Sequence, residues 1–170
     1  MTDEADYNAP DQCTVGVIGE VGNRLFLFYC RQGLNEITVK VEKQQVAVLA
    51  SYLGRIVKEL GRPGHLPDDV RFVGTEEPQW VVGTIGVSYD EDVDRVVVVL
   101  EEVPHEDDDL EEESGHVLRI ALTREQAAAF AIHATRLVEA GRPPCPLCGL
   151  PLDPSGHDCP RTNGHRPPVT

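Results

Sequence analysis

The residues best suited to chemistry in this 170-residue chain are three cysteines and a histidine near its C-terminal end. Cys145 and Cys148 are separated by two residues and followed directly by a glycine, which is the form of a zinc knuckle. His157 and Cys159 follow after eight intervening residues. Together they form a Cys₃His set, the four ligands that a tetrahedral structural Zn²⁺ requires. We therefore predict one structural zinc ion at these four residues.

Other interpretations of the cysteine cluster are open. His165 could replace His157 as the nitrogen ligand, because His157 and Cys159 form an unusually close second pair. A redox pair at Cys145 and Cys148 would need a helix whose dipole lowers the pKa of the first thiol, and the prolines that follow prevent one. A catalytic zinc site keeps one coordination position open, and four good ligands leave none.

The segment around these ligands, residues 144–166, consists mostly of Pro, Gly and short polar residues. Such a segment buries too little apolar surface to order itself, so the metal would be its core. We predict that residues 144–166 form a zinc-binding tail and that residues 1–11 and 167–170 are disordered.

The body that must position this tail, residues 12–143, contains an internal repeat. Short segments of its first part match segments of its second part in the same order. The matched pairs are 15–19 with 82–86, 24–28 with 95–99, 41–50 with 122–131, and 61–63 with 141–143. Four matches in one order predict two copies of a unit, residues 12–63 and 79–143.

Each predicted unit has the order strand, strand, strand, helix. The strands are indicated by alternating or β-branched apolar residues, and the helices by apolar residues at three- and four-residue steps. The predicted strands are about 14–19, 24–31, 37–41, 80–88, 94–102 and 116–122. The first helix is expected between Glu42 and Gly61, and the second from the capping-box pair Thr123 and Gln126 to Gly141. The fold class that follows is α+β, with internally duplicated β-β-β-α units whose amphipathic helices pack on antiparallel sheet. The pattern leaves open whether the strands form one sheet or two.

The charge of the chain is −14, from 29 acidic and 15 basic residues. Residues 142–170 contribute +1, from three Arg and two Asp, so the first 141 residues carry −15. A net negative charge disfavours nucleic acid, whose binding depends on Lys and Arg. Seven acidic residues within 106–113 predict a solvated loop over 104–115. That loop could also bind a basic partner, or a divalent cation with His105 and His116.

The sequence contains no stretch of 18 apolar residues, so we expect no membrane span. Its first residues are acidic and lack the basic and apolar regions of a signal peptide, which favours a cytoplasmic location. Cys13 and Cys30 lie in or near apolar strands, where small buried thiols are common, and we assign them no role. His133 is expected to be a half-exposed residue on the second helix.

Three sequence features resemble an uncharacterised actinobacterial family known as a domain of unknown function or "conserved repeat protein". These are the tail pattern Cys-Pro-Leu-Cys-Gly-x-Pro-Leu-Asp-Pro-x-Gly-His-x-Cys-Pro-Arg-x-Asn-Gly, the Val-Gly-x-Ile-Gly start, and the helix opening from Glu42 to Leu49. The resemblance covers nearly the whole chain and implies no catalytic residues. Members are typically encoded beside a histidine-phosphatase-like protein, which implies a shared pathway or a partner.

We expect a non-enzymatic protein-interaction or adaptor module, because no P-loop, nucleophile elbow, dinucleotide fingerprint or HExxH helix is present. The partner would be another protein, and the acidic body would suit a basic one. One alternative is an enzyme with a site in the groove between the two units. Its candidate polar residues are Arg24, Arg31, Glu42, Glu76, Glu77 and Arg95. A weaker alternative is nucleic-acid binding through Arg161 and Arg166 of the tail.

Overall fold

The computed structural model of the chain describes residues 3–20, 22–61, 63–104, 115–140, 145–150, 159 and 161, and these form an α+β fold. The strands are β1 (Asp3–Tyr7), β2 (Gln12–Ile18), β3 (Leu25–Gln32), β4 (Asn35–Val41), β5 (Val82–Asp90), β6 (Arg95–Glu102) and β7 (His116–Leu122). The helices are α1 (Lys43–Leu60) and α2 (Arg124–Glu139). The predicted α+β class is confirmed. The order of three strands and a helix occurs twice, which supports the duplication without proving it.

The strands form two sheets, which a short backbone bridge connects. One sheet has the order β2-β3-β4 and is antiparallel throughout. The other has the order β1-β7-β6-β5, in which β1 runs parallel to β7 and the remaining pairs are antiparallel. Lys40 of β4 pairs with Val81, just before β5, in a parallel bridge, and the Lys40 N–H donates to the Trp80 carbonyl at 2.9 Å. This bridge links the two halves through their backbones.

Strand β1 corrects the prediction that residues 1–11 are disordered. Asp3–Tyr7 pairs along its whole length with residues 116–120 of β7, and the Tyr7 side chain is buried. The strand is acidic and lacks an apolar pattern, so it takes its order from the edge of a distant strand. Patterns among neighbouring residues do not identify a pairing strand that is distant in the sequence.

Each helix packs mainly on strands of the other half, and the two sheets and both helices share one core. Helix α2, from the second half, packs on β2 and β3 of the first: the Phe130 and Phe28 ring centroids lie 5.5 Å apart. Helix α1, from the first half, packs against β5 of the second, where the Gln45 side-chain amide donates to the Val82 carbonyl at 3.2 Å. In the corresponding bond of α2, the Gln126 amide donates to the Pro10 carbonyl at 2.7 Å.

Both helices begin as the sequence predicts, and α1 also ends as predicted. Thr123 is the N-cap of α2 and forms a capping box with Gln126, and Glu42 is the N-cap of α1. Helix α1 ends at Gly61, whose φ of 99° is strongly disfavoured for residues with a side chain. The predicted stop of α2 at 141–143 lies outside the described residues.

The strand register shows that two of the four sequence matches are misaligned. Val41 and Leu122, which precede the two helix N-caps, pair with Phe26 and Val96 respectively. Phe26 therefore corresponds to Val96, one residue away from the match of 24–28 with 95–99. In the same way Val17 pairs with Phe26 and Tyr89 with Val96, so the match of 15–19 with 82–86 is wrong by five residues.

The segment between α1 and β5 covers the outer face of the first sheet. The Thr14 hydroxyl donates to the Val70 carbonyl, and the Phe72 ring stands edge-on to Tyr29 with centroids 6.0 Å apart. The ring lies directly over Gly16, where a β-carbon would overlap it. Glycine at position 16 therefore lets this crossing segment lie close to the sheet.

We expect Gly16→Ala to destabilise the protein by about 1–3 kcal/mol, because the new methyl group forces the Phe72 ring off the sheet. The matched control is Gly86→Ala on β5, where an added β-carbon would lie 4.0 Å from its nearest neighbour, Val99. That variant should change the free energy of unfolding by less than about 0.5 kcal/mol. Urea unfolding measures both, and equal effects would contradict the close packing of Phe72.

No helix in the described part of the chain is both long enough and apolar enough to cross a bilayer. Most of the predicted acidic loop, residues 105–114, lies outside the described residues.

Candidate metal centre

The first two cysteines of the tail lie on a tight turn, residues 145–150. The Gly149 N–H donates to the Cys145 carbonyl at 2.8 Å, and the Cys145 N–H donates to the Leu150 carbonyl at 2.8 Å. Gly149 has a φ of 75°, in the left-handed region that favours glycine. The glycine after Cys148 thus makes the turn that the knuckle pattern predicts, and the turn places both sulfurs on one side.

Cys159 completes a cluster with these two residues. The sulfurs of Cys145 and Cys159 lie 4.0 Å apart, and all three sulfurs lie within 4.8 Å of one another. No disulfide bond joins these three cysteines in the described part of the chain. Sulfurs bound to one tetrahedral Zn²⁺ lie about 3.8 Å apart, since each Zn–S bond is about 2.3 Å long. A small contraction would bring all three sulfurs into contact with one ion, so the group fits a metal.

The environment of the cluster disfavours bare thiolates. Cys145 and Cys159 are buried, at 2% and 1% exposure, and Cys148 is partly exposed. Removal from water raises the pKa of the Cys148 thiol, the Leu150 N–H opposes this as a hydrogen-bond donor, and the neighbouring thiols raise the pKa further. A cation would have to displace these protons, so metal binding would release protons and weaken at low pH.

The structure therefore brings together three of the four predicted ligands. His157, the fourth, and His165, its alternative, both lie outside the described residues. Residues 145–150 form a turn and not the start of a helix, so the arrangement needed for a redox pair at Cys145 and Cys148 is missing there.

A groove between the two halves contains no catalytic pair among the residues that line it. It lies between α1 and β5, has a volume of about 400 Å³, and is lined mainly by Val48, Tyr52, Ile85 and Val87 together with two glutamines and a glycine. Its walls carry no carboxylate, arginine or histidine.

The polar residues proposed for an enzyme site are dispersed, with one exception. Arg31 pairs with Asp11 at 3.6 Å, and Arg95 donates to the carbonyls of its own turn. Arg24 and Glu42, in contrast, line one pocket. Two residues that were not predicted, Lys40 and Lys43, line it too. The available signal was Lys43 itself, a cation at the first position of a helix, where the helix dipole favours anions.

Two further histidines have structural partners. His133, on α2, lies 2.9 Å from the Val15 carbonyl through its Nε2 and so ties α2 to β2. His116 Nδ1 lies 2.7 Å from the Glu102 carboxylate, and the imidazole stacks on Trp80. Its predicted companion in a divalent-cation site, His105, lies outside the described residues.

Cys13 and Cys30 face each other across β2 and β3. Both are buried, and burial raises the pKa of the Cys13 thiol well above its usual value. A thiol with a raised pKa, such as that of Cys13, is a poor nucleophile.

Comparison with known proteins places the chain by its sequence. Residues 5–159 match the family described as "Protein of unknown function (DUF3090)", a span that includes strands β2 to β7, both helices and all three clustered cysteines. No curated protein and no solved structure matches the chain. Because the match covers most of the 170 residues, the chain belongs to the DUF3090 family.

Proposed function

We propose that the protein is a non-enzymatic protein-interaction module whose tail is ordered by one structural Zn²⁺ bound to Cys145, Cys148, His157 and Cys159. The observation that carries the proposal is the convergence of three cysteine sulfurs, all within 4.8 Å of one another, on a knuckle turn. His157 completes a Cys₃His set from two residues before Cys159. Four protein ligands leave no coordination position for water, so the ion would organise the tail without catalysing a reaction.

Zinc is favoured over other metals by the chemistry of the donors. Thiolates and imidazole in a tetrahedral set suit Zn²⁺, whereas Mg²⁺ and Ca²⁺ prefer oxygen ligands. The proposal also assigns the protein to the cytoplasm, where thiols stay reduced and available to a metal.

The turn that holds the cysteines also presents apolar side chains to solvent. Leu147 and Leu150 are 44% and 49% exposed, and a metal bound at Cys145 and Cys148 would fix both of them in place. Rigid exposed leucines lose little conformational entropy when a partner covers them, which favours protein binding. The −15 charge of residues 1–141 would favour a partner with a basic surface.

Elemental analysis of protein purified without added metal tests the zinc site. We expect about one equivalent of zinc per chain, because the proposed four-ligand site binds one ion tightly. Less than about half an equivalent, with residues 145–150 still folded, would contradict the metal assignment.

The interaction role is tested by affinity capture from the source cells, followed by direct binding of the purified partner. The double variant Leu147→Ser/Leu150→Ser should keep its zinc and lose the partner. Leu34→Ser, which changes a more exposed leucine in the turn between β3 and β4, should keep both. Partner binding that survives the double variant would contradict the role of the turn. Capture of nucleic acid with a steep salt dependence would favour the weaker alternative, binding through Arg161 and Arg166.

A further inference from the structure

A second site lies at the beginning of α1, in the first half of the fold. A pocket of about 410 Å³ opens between the turn that precedes β3, the end of β4 and the first residues of α1. Three cations line it, Arg24, Lys40 and Lys43, against one carboxylate, Glu42. Its side chains therefore carry a net charge of +2, in a chain whose net charge is −14. A basic pocket on so acidic a protein calls for a physical explanation.

Among the residues that the structure describes, two of these cations show no anionic partner. The Arg24 Nε atom is buried and has no hydrogen-bond partner. Lys43 shows no ion pair or hydrogen bond in the described part of the chain, whereas Lys40 lies 3.8 Å from the Glu42 carboxylate. Lys43 is also the first residue of α1, and no acidic residue occupies the first turn. The helix dipole disfavours a cation at this end of a helix. The described contacts of the fold therefore do not account for the positive charges of Arg24 and Lys43.

The second half shows how the same positions are neutralised within the protein. Because Phe26 corresponds to Val96 by strand register, Arg24 corresponds to Asp94, and Lys43 corresponds to Arg124 at the start of α2. Arg124 Nε donates to the Asp94 carboxylate at 2.9 Å, and the Tyr89 hydroxyl donates to the same oxygen at 2.7 Å.

These bonds make the second site complete without a ligand. The hydrogen bonds from Tyr89 and then Arg124 hold the pKa of Asp94 below its usual range, so the carboxylate is charged at neutral pH. In the first half an arginine stands where the second half has this carboxylate. No carboxylate occupies the position of Asp94 there, and Glu42, the carboxylate that lines the pocket, lies 3.8 Å from Lys40.

We propose that the pocket binds a small phosphate-bearing molecule, whose phosphate group takes the place that the Asp94 carboxylate has in the second half. A phosphate dianion matches the net charge of +2, and it accepts hydrogen bonds from a guanidinium and from helix N-terminal N–H groups at once. The acidic surroundings repel a long polyanion such as nucleic acid more strongly than a single phosphate, because repulsion grows with each added charge.

Calorimetric titration of the full-length protein with inorganic phosphate tests this site. We expect saturable binding that weakens as sodium chloride is added. Arg24→Gln and Lys43→Gln should each raise the dissociation constant about tenfold, the effect of losing one charge-assisted hydrogen bond. Glu42→Gln should lower the dissociation constant, because it removes the opposing charge.

The matched control is Lys58→Gln, which removes the same charge from the other end of α1. Position 58 lies about 22 Å along the helix from Lys43, more than two Debye lengths in physiological salt, so the dissociation constant should change less than about twofold. Arg24→Asp rebuilds the carboxylate of the second half, and it should abolish phosphate binding while the melting temperature stays equal or rises.

Three results would overturn the proposal. The first is the absence of binding heat with inorganic phosphate for the folded wild-type protein. The second is equal weakening by Arg24→Gln and Lys58→Gln, which would mean that phosphate responds only to net charge. The third is tight binding of a single-stranded DNA oligonucleotide that depends on Arg24 when inorganic phosphate does not bind. This last result would assign the pocket to nucleic acid.

Discussion

Replacement of Cys148 by serine is expected to remove the metal from the tail and to leave the two sheets and both helices folded. Serine keeps the size of the side chain but is a far weaker ligand for Zn²⁺ than a thiolate. Loss of a direct ligand should weaken zinc affinity more than about 100-fold, the upper end of what loss of a second-shell partner costs. Metal content should therefore fall from about one equivalent to near zero.

The body should survive this change because its core does not depend on the tail. The buried core cluster takes its members from both sheets and both helices, and the last of them in sequence is Val138. Urea unfolding should therefore give nearly the same midpoint for Cys148→Ser as for the wild type, and nuclear magnetic resonance should show changes at residues 145–150. Cys13→Ala, which removes a thiol outside the cluster, serves as the control and should retain the metal.

Retention of about one equivalent of zinc by Cys148→Ser would show that Cys148 is not a ligand. Loss of cooperative unfolding in the body would show instead that the tail is part of the core. A chelator added to the wild-type protein should reproduce the variant, and this separates loss of the ion from any direct effect of the substitution.

The second large effect is expected for Phe130→Ala, which should lower the free energy of unfolding by about 3–5 kcal/mol. Its side chain is 1% exposed, and its ring packs on Phe28 with centroids 5.5 Å apart. The contact joins a helix of the second half to the first sheet. A loss of this size is a large part of the total stability of a single domain, which is about 5–15 kcal/mol.

The control for Phe130→Ala is Ile132→Ala, two residues later on α2. The Ile132 side chain is 43% exposed, so its loss should change stability by less than about 0.5 kcal/mol. Urea unfolding followed by circular dichroism measures both variants. Similar losses for the two would contradict the position of α2 on the first sheet.

Local sequence patterns were sufficient for most elements of the fold. The strand predicted at 116–122 matches β7, and both helices start at the predicted caps, because alternation and capping depend on neighbouring residues. The acidic strand β1 was missed because its order comes from pairing with β7, more than a hundred residues away. The packing of each helix on strands of the other half could not be predicted for the same reason. Periodicity identifies the apolar face of a helix but not the strands that pack against it.

The two candidate sites differ in how visible they are in the sequence. The spacing of Cys145 and Cys148 identifies them as candidate metal ligands because a single turn positions both. Cys159 lies close enough in the sequence to be recognised as part of the same cluster. The basic pocket draws its cations from the turn before β3, from the end of β4 and from the start of α1. Whether these segments meet depends on strand register. The sequence match of 24–28 with 95–99 is one residue away from the register of β3 and β6.

The packing of α1 and α2 on strands of the opposite halves suits the protein to fragment complementation. A chain divided between its halves would give two pieces, each with a helix separated from strands of the other half on which it packs. We expect each piece to fold poorly alone and the two to associate when mixed, because each supplies apolar surface that the other lacks. A ligand that holds α1 in place would also hold strand β5 of the other half.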